Sequence, residues 1–505
     1  MTVFEGLIHG FSIALQPMNL LWCFVGCFLG TVIGILPGLG PSATIAILLP
    51  LTFNMDPTGG IIMFAGIYYG AKYGGSTTSI LLNMPGEASS VISCVDGYQM
   101  AKKGRGGAAL GIAAIASFVA GTVGLLMLTF VAPPVASFAL SFGSPEYFAL
   151  MVMGLSLVVL LGGSDFPKAI LSTLVGLWLA SIGTDLFTAQ SRFIFGQSSL
   201  LGGIEFMSLA IGIFAISEIL LNIEARGTVE LLKVPKGLRN LFPSWAELKD
   251  CRFAFLNGSL TGFFIGLLPG AGSTIASFVS YGIEKAVSRH PERFGHGAPE
   301  GLAAPEGANN ADTGGALLPL LTLGIPGGAS TAIMLTALIM WGVKPGPLMM
   351  QQSPDVFWGL VASMYVGNVA LLVMNLPLVG VFAQILRVPI YILHPMILGV
   401  AIAGAYGASG NMFDVGLLVF FGIMGYGMAK LGFPSAPLIL GFVLGDAMER
   451  AVRQSLTMSN GDPMILVDRP ISAVLLILAA VILCAPLLHR VRSARRIVAE
   501  AEAEA

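Results

Sequence analysis

The sequence predicts an all-α polytopic membrane protein of about a dozen transmembrane helices. These helices are expected to form two inverted-topology repeats with broken helices or hairpins, followed by an extra C-terminal helix. Composition, charge-free runs and duplicated motifs lead to this prediction. Of 505 residues, 55% are hydrophobic and only 10% are charged, and the mean hydropathy is +0.85. So few charges cannot cover the surface of a soluble globule of this size.

Several runs without Lys, Arg, Asp or Glu meet or approach the length that crosses a bilayer. They cover residues 6–55, 106–145, 313–343, 356–386 and 470–488. Because a span takes about 20 residues, the longest run must hold more than one helix. No Lys or Arg precedes Lys72, so the basic region of a cleavable signal peptide is absent and the first apolar segment is expected to remain.

Three motifs of the first half return in the second half in the same order. A Gly-x-x-Pro-Gly break, a Gly-Gly segment followed by a Pro-Gly segment, and a Ser-x-x-x-Gly helix motif pair as 34–42 with 266–274, 74–90 with 314–331, and 117–126 with 363–372. Duplicated Gly and Pro breaks inside apolar segments are typical of secondary transporters, whose substrate lies between two related halves.

These repeats predict how the chain is organised. The segments are a first membrane repeat, a cytoplasmic linker, a second membrane repeat, an extra transmembrane helix and a cytoplasmic tail, at 1–223, 224–252, 253–469, 470–488 and 489–505. The linker carries six basic residues against four acidic ones. Lys- and Arg-rich short loops tend to stay cytoplasmic.

Equivalent loops of the two repeats carry opposite charge bias. Residues 52–60 have no Lys or Arg, whereas their counterpart 284–312 has three; residues 102–105 have three, whereas their counterpart 341–355 has one. This reversal predicts that the two repeats are inverted in the membrane. The extra helix then explains how the basic tail returns to the cytoplasm.

The breaks and the Pro-Gly segments carry the candidate substrate and cation site. Irregular backbone is tolerated at membrane depth only where it is buried in protein or lines a polar cavity. Hydroxyls after each break, on Ser42, Thr44, Ser273 and Thr274, are expected to cap a new helix whose free N–H groups face an anion. Kinks with close helix packing, and ordinary turns between spans, are the structural alternatives.

Nineteen residues form the predicted site. In the first repeat they are Gly38, Gly40, Ser42, Lys72, Ser76, Thr77, Asn83, Gly86, Glu87 and Ser89. In the second repeat they are Gly270, Gly272, Ser273, Thr274, Asn310, Asp312, Thr313, Gly327 and Ser330.

Lys72 and Asp312 occupy equivalent positions beside the Gly-Gly pairs of the two repeats. An isolated charge at bilayer depth costs at least ~2.5 kcal/mol, so each needs a partner or a wet cavity. Three arrangements fit this sequence. The two residues pair with one another, or Lys72 meets a substrate carboxylate while Asp312 helps to hold a coupling cation, or both lie in loops at the membrane edge.

Nothing in the sequence indicates catalysis. No Ser/His/Asp, Cys/His or metal-ligand spacing is present, and the five cysteines form no CxxC pair. We therefore expect no enzyme, no resident cofactor, no nucleic-acid partner and no metal site beyond a transported sodium ion.

The motifs resemble those of the large membrane subunit of the tripartite tricarboxylate transporter family, and the likeness runs nearly end to end. The residues that carry it are 34–42, 68–79, 83–88, 266–272, 432–437 and 444–446. The resemblance implies a permease of the bacterial inner (plasma) membrane, with a small integral membrane subunit and a periplasmic solute-binding protein as partners. It implies import of a carboxylate, a tricarboxylate or related organic acid, driven by a Na⁺ or H⁺ gradient.

Two other functions fit the sequence less well. A stand-alone cation/solute antiporter would need neither partner protein. An integral membrane enzyme would use Glu87 or Asp312 on a lipid-soluble substrate. Adjacent genes for a binding protein and a four-span protein would favour the tripartite function, and turnover without a sealed compartment would favour the enzyme.

Overall fold

A computed structural model describes residues 2–36, 40–161, 165–185, 187–224, 241–385 and 390–484. In chain order the elements are α1 (Val3–Ala14), α2 (Pro17–Ile35), α3 (Pro41–Leu48), α4 (Pro57–Leu82), α5 (Ser93–Met100), α6 (Gly106–Ala139), α7 (Ser144–Leu161), α8 (Phe166–Ala180), β1 (Gly183–Thr184), β2 (Ser191–Arg192), α9 (Phe206–Ile211), α10 (Ser217–Glu224), α11 (Trp245–Asp250), α12 (Arg252–Gly266), α13 (Gly272–Val287), α14 (Pro299–Leu323), α15 (Ala329–Met340), α16 (Met349–Gln352), α17 (Pro354–Ile385), α18 (Ile390–Ser409), α19 (Met412–Lys430), α20 (Ser435–Met458), α21 (Ile465–Asp468) and α22 (Pro470–Cys484).

The prediction of an all-α polytopic membrane protein is confirmed. Within the described ranges, six helices are long and apolar enough to cross a membrane, and six shorter apolar helices accompany them. The six longer ones are Pro17–Ile35, Ser93–Ala139, Ser144–Leu161, Phe206–Glu224, Pro354–Asn375 and Met412–Lys430. The predicted C-terminal helix is described as α22, and the predicted tail lies outside the described residues.

Two long helices differ from the rest because they are polar and buried on every side. All residues of α4 from Thr58 to Leu82, and all of α14 from Pro299 to Thr322, are buried. Protein rather than lipid surrounds such a helix, so it can carry polar and charged side chains that a lipid-facing helix cannot. Helices α4 and α14 therefore position the site.

The chain divides into two compact units. One unit comprises Met1–Leu140 and Glu205–Gly427, and the other comprises Ser141–Ile204 and Met428–Ala505. Each unit combines residues of both predicted repeats. The two compact units therefore do not coincide with the two predicted repeats. The boundaries of the repeats and the linker stay a prediction.

In the first unit the two repeats build the same pair of closely packed helices. Helix α2 packs on α4 and helix α12 packs on α14. Each outer helix carries glycines at every fourth position on its contact face, namely Gly26, Gly30 and Gly34 of α2 and Gly258, Gly262 and Gly266 of α12. A Cβ there would lie 2.1 to 2.6 Å from a carbonyl oxygen of the facing helix, so only glycine permits this approach.

In the second unit α20 packs on α7 and α8. Two ion pairs tie loops to these helices: Arg453 Nη2 of α20 lies 2.8 Å from Asp185 Oδ2 after β1, and Arg469 Nη1 before α22 lies 2.8 Å from Glu146 Oε2 of α7. Both pairs connect segments that are far apart in the sequence.

Local chemistry sets where α4 and α14 begin and end. Pro57 and Pro299 occupy first-turn positions, where the missing N–H costs nothing. Asp56 caps α4 by accepting from the N–H groups of Thr58 and Gly59, at 3.0 and 3.2 Å. Each helix ends at a left-handed residue, Asn83 with φ of 57° and Gly324 with φ of 72°, and the Pro-Gly segments follow.

Both predicted breaks separate two helices. Helix α2 ends at Ile35 before α3 begins at Pro41, and α12 ends at Gly266 before α13 begins at Gly272. The expected hydroxyl caps are wrong, because neither α3 nor α13 has a side-chain cap. Thr44 lies inside α3 instead, and its hydroxyl donates to Gly40 O at 3.1 Å. The first turns of both helices are left without a side-chain acceptor.

Candidate substrate and cation site

The centre of the site is an ion pair between α4 and α14. Lys72 Nζ lies 2.9 Å from Asp312 Oδ2 and donates to Asn309 O at 2.6 Å. Neither charged side chain has any solvent exposure. The Tyr68 ring lies 4.7 Å from the ammonium, and its hydroxyl donates to Asp312 Oδ2 at 3.4 Å. This burial excludes the alternative that both residues lie in exposed loops, and the ion pair that the sequence left open as one alternative is present.

Residues at equivalent positions meet twice. Lys72 and Asp312 form one such pair. Thr122 and Asn368 form the other, in which Asn368 Nδ2 donates to Thr122 Oγ1 at 3.0 Å. When two related halves pack around an axis, a residue contacts its own equivalent only near that axis. The polar centre of α4 and α14 therefore lies where the two repeats meet.

The first Pro-Gly segment packs on the first break and reaches the centre. A Cβ on Gly86 would lie 2.0 Å from Gly34 O, so the two backbones are in close contact. The next residue, Glu87, accepts from Asn309 Nδ2 at 3.3 Å and from the Ser89 hydroxyl. The Glu87 carboxylate therefore lies next to the residue that contacts the break, and it is hydrogen-bonded directly to α14.

The second Pro-Gly segment also contacts the second break, through a backbone hydrogen bond. Gly270 N donates to Gly327 O at 2.9 Å, and Gly270 has a positive φ of 82°. Asp312 Oδ1 lies on this side, 3.1 Å from the position that a Cβ on Gly266 would take. Break, Pro-Gly segment and charged centre are therefore contiguous in both repeats.

A second carboxylate on α14, which the sequence analysis missed, lies one to two turns from the ion pair. Glu306 is fully buried and accepts a hydrogen bond from the Ser76 hydroxyl. Asn310 Nδ2 donates to Ser117 Oγ at 2.7 Å and to Glu306 O at 3.1 Å. Ser76 and Ser117 also line a small cavity of about 20 Å³, with Tyr73, Thr77 and Asn375 as its other polar residues.

The nineteen predicted residues do not all meet at one place. Those at the α4–α14 centre and the adjoining segments are Lys72, Ser76, Thr77, Gly86, Glu87, Ser89, Gly270, Asn310, Asp312, Thr313 and Gly327. At or near helix starts lie Gly40 and Ser42 of α3, Gly272, Ser273 and Thr274 of α13, and Ser330 of α15. Asn83 is exposed at the end of α4, and Gly38 lies outside the described residues.

Sequence reasoning also missed Tyr68, Asn309 and Glu306. The missed signal was the helical spacing of Glu306, Asn309, Asn310 and Thr313, which places four polar side chains on one face of a membrane helix.

Comparisons with known proteins identify the family of the chain. The sequence model of the tripartite tricarboxylate transporter TctA family matches residues 20–440. An Agrobacterium vitis protein described as an "uncharacterized 52.8 kDa protein in TAR-I ttuC' 3'region" is 46% identical over 498 residues, which cover 98% of each chain. A second protein of that organism, from the "TAR-II ttuC' 3'region", is 44% identical over 234 residues, 46% of this chain and 97% of its own.

No solved structure matches the chain. The family match covers most of the sequence, including both breaks, both Pro-Gly segments and the Lys72–Asp312 pair. The chain belongs to the tripartite tricarboxylate transporter TctA family.

Proposed function

We propose that the protein is the large membrane subunit of a tripartite importer in the bacterial inner membrane. It receives a carboxylate from a periplasmic solute-binding protein, works with a small integral membrane subunit, and uses a Na⁺ or H⁺ gradient. Family membership supports a transporter with partner subunits. The observation that carries the proposal is the buried Lys72–Asp312 pair at the meeting point of the repeats.

In this proposal a substrate carboxylate replaces Asp312 as the partner of Lys72. Lys72 has no spare capacity, because Asp312, Asn309 O and the Tyr68 ring already surround its ammonium. Binding of the substrate therefore leaves the buried Asp312 carboxylate without its cation. Asp312 Oδ1, which has no hydrogen-bond partner among the described residues, already faces the second break.

This exchange supplies the coupling between substrate and cation. An unpaired buried charge costs about 3 to 5 kcal/mol, which corresponds to a factor of roughly 10² to 10³ or more in affinity. A Na⁺ or H⁺ at Asp312 removes that cost, so each ligand promotes binding of the other. Further substrate carboxylates are expected at the uncapped starts of α3 and α13, where free N–H groups favour anions.

Loop contacts support inverted repeats. Lys103 Nζ donates to His296 O at 2.6 Å, so the basic loop of the first repeat touches the basic loop before α14. Trp341 Nε1 donates to Thr52 O at 3.2 Å, which joins the two loops that are poor in Lys and Arg. In each case a loop touches the non-equivalent loop of the other repeat, as opposite orientations require.

Contact with the linker supports a cytoplasmic side for the basic loops. Arg105 forms an ion pair with Glu247, which follows the linker segment outside the described residues. We infer alternating access by movement of the repeats around the fixed centre.

The proposed coupling can be tested by binding measurements alone, because citrate and the cation should each strengthen binding of the other. Citrate binding to the purified protein should strengthen with Na⁺ or with acidification, and by reciprocity citrate should strengthen cation binding by the same factor. Citrate affinity that is independent of both cations, measured by calorimetry at constant ionic strength, would contradict the exchange.

A further inference from the structure

One face of α14 holds an unusual set of buried oxygens without partners. Glu306 Oε1, Asn309 Oδ1, Asn310 Oδ1 and Thr313 Oγ1 have no hydrogen-bond partner among the described residues, and all four side chains are at most 1% exposed. Their spacing of three, four and seven residues places them on a single stripe, here called the oxygen stripe. Buried polar atoms are nearly always satisfied, so four on one helical stripe indicate a missing ligand.

The amide of Asn310 cannot turn to satisfy itself. Its Nδ2 donates to Ser117 Oγ and to the backbone oxygen of Glu306. Turning the amide would place Oδ1 against that backbone oxygen, and two acceptors repel one another. The oxygen of Asn310 is therefore the end that faces the missing ligand, which must be a donor or a cation.

The hydroxyl of Thr313 is unpaired for a reason that involves the ion pair. Several buried threonines in helices of this protein donate to the carbonyl four residues earlier, as Thr322 does to Leu318 O at 2.7 Å. The equivalent acceptor for Thr313 is Asn309 O, which instead accepts from Lys72 Nζ at 2.6 Å. Lys72 thus leaves Thr313 Oγ1 free to bind another group.

The charge of Glu306 selects a cation as that group. The ion pairs of the described residues include Lys72–Asp312 but none to Glu306, so this carboxylate has no cationic partner among them. One negative charge with three uncharged oxygens suits a monovalent ion, because Ca²⁺ sites rely on several carboxylates. The described residues contain no group of three His, Cys, Asp or Glu that fits a multivalent metal.

We propose that the oxygen stripe of α14 binds one dehydrated Na⁺, with Glu306 as its counter-charge and Asn309, Asn310 and Thr313 as neutral ligands. The site is separate from Asp312, which lies off the stripe and pairs with Lys72. Two serines of the small adjacent cavity contact the stripe, since Ser76 donates to Glu306 and Ser117 accepts from Asn310. The inference rests on the proposed function only for its biological purpose, since the ligand set is defined without any substrate.

Thermal unfolding of the purified full-length protein tests the site. NaCl replaces choline chloride at constant ionic strength, and KCl serves as a second monovalent ion. A ligand that binds only the folded state raises the unfolding temperature with its concentration. The wild type is expected to show saturable stabilisation by Na⁺ that exceeds the effect of K⁺.

Two isosteric variants and one matched control test whether the Na⁺ stabilisation comes from the oxygen stripe. Glu306→Gln removes the charge and Thr313→Val removes one oxygen, and each should weaken Na⁺ binding at least tenfold. Glu300→Gln is the control, because Glu300 is a buried carboxylate of the same helix with one unpaired oxygen, but it has Arg293 as a neighbour at 3.9 Å. This control should bind Na⁺ as the wild type does.

The outcomes separate this inference from the proposed function. Wild-type Na⁺ stabilisation in both Glu306→Gln and Thr313→Val overturns the site, as does a wild type that responds to pH but not to Na⁺, which would make Glu306 a proton carrier. Citrate transport without Na⁺ binding contradicts only this inference. Na⁺ binding without any carboxylate transport contradicts only the proposed function.

Discussion

Lys72 Nζ lies 2.9 Å from Asp312 Oδ2, and the two residues hold equivalent positions in the two repeats. Both lie on helices that are buried around their whole circumference. The pair therefore links the two repeats, and the proposed substrate exchange would separate Lys72 from Asp312. This makes the pair the first target for mutation.

Lys72→Met and Asp312→Leu should each destabilise the protein by about 3 to 5 kcal/mol, because each leaves the opposite charge buried and unpaired. The double variant should regain most of that stability. Thermal unfolding in detergent measures the change, with Lys103→Met as an exposed lysine control.

Transport by the double variant then separates structure from function. If the pair serves only stability, the double variant transports. The proposed exchange instead predicts a folded protein without coupled uptake, and near-normal kinetics in both single variants would contradict either role.

Gly270→Val should reduce transport while the protein still inserts. Gly270 has a φ of 82°, which costs a side-chain-bearing residue about 1 to 3 kcal/mol, and its N–H binds the second Pro-Gly segment. We expect a loss of roughly ten- to a hundredfold in uptake rate. Gly282→Val on α13 is the control, since an added Cβ there meets open space. Equal uptake in both variants would show that the break has no special role.

Asp96 should be needed for the stability of the loop that leads into α14. Its Oδ1 accepts from the N–H groups of Gly295, Gly297 and Ala298 at 2.9, 2.7 and 2.8 Å, and its Oδ2 accepts from Tyr281 at 3.0 Å. Asp96→Ala leaves these donors unpaired and should cost about 3 kcal/mol or more. Asp96→Asn keeps an acceptor and should cost less, so equal melting temperatures for the two variants would contradict this role.

Cysteine labelling should reveal inverted repeats. In a chain with its five native cysteines replaced by alanine, cysteines at Lys102 and Glu292 should react only from the cytoplasm. Cysteines at Asn54 and Lys344 should react only from outside. All four positions are exposed. Labelling of Asn54 and Glu292 from the same side would show that the repeats are parallel.

The sequence was sufficient for the parts of the site that occur twice. Repetition placed Lys72 opposite Asp312 and located both breaks, because equivalent motifs can be aligned without coordinates. It did not predict that the Pro-Gly segments pack on the breaks, since that contact depends on how α2 and α4 approach through glycine.

Glu306 was overlooked for a different reason. Its equivalent position in the first repeat carries no acid, so a search by symmetry passes over it. Helical periodicity along α14 would have found it, together with Asn309, Asn310 and Thr313. The division into compact units could not be predicted, because it depends on contacts between segments far apart in the chain.

Uptake of radiolabelled citrate and succinate into proteoliposomes tests the central claim most directly. The vesicles contain this protein with its small membrane subunit, the binding protein is outside, and Na⁺ and H⁺ gradients are imposed separately. The account predicts concentrative uptake of a carboxylate that needs one of the two gradients and is lost in Lys72→Met. Uptake that follows the carboxylate gradient alone, or that persists unchanged in Lys72→Met, would contradict it.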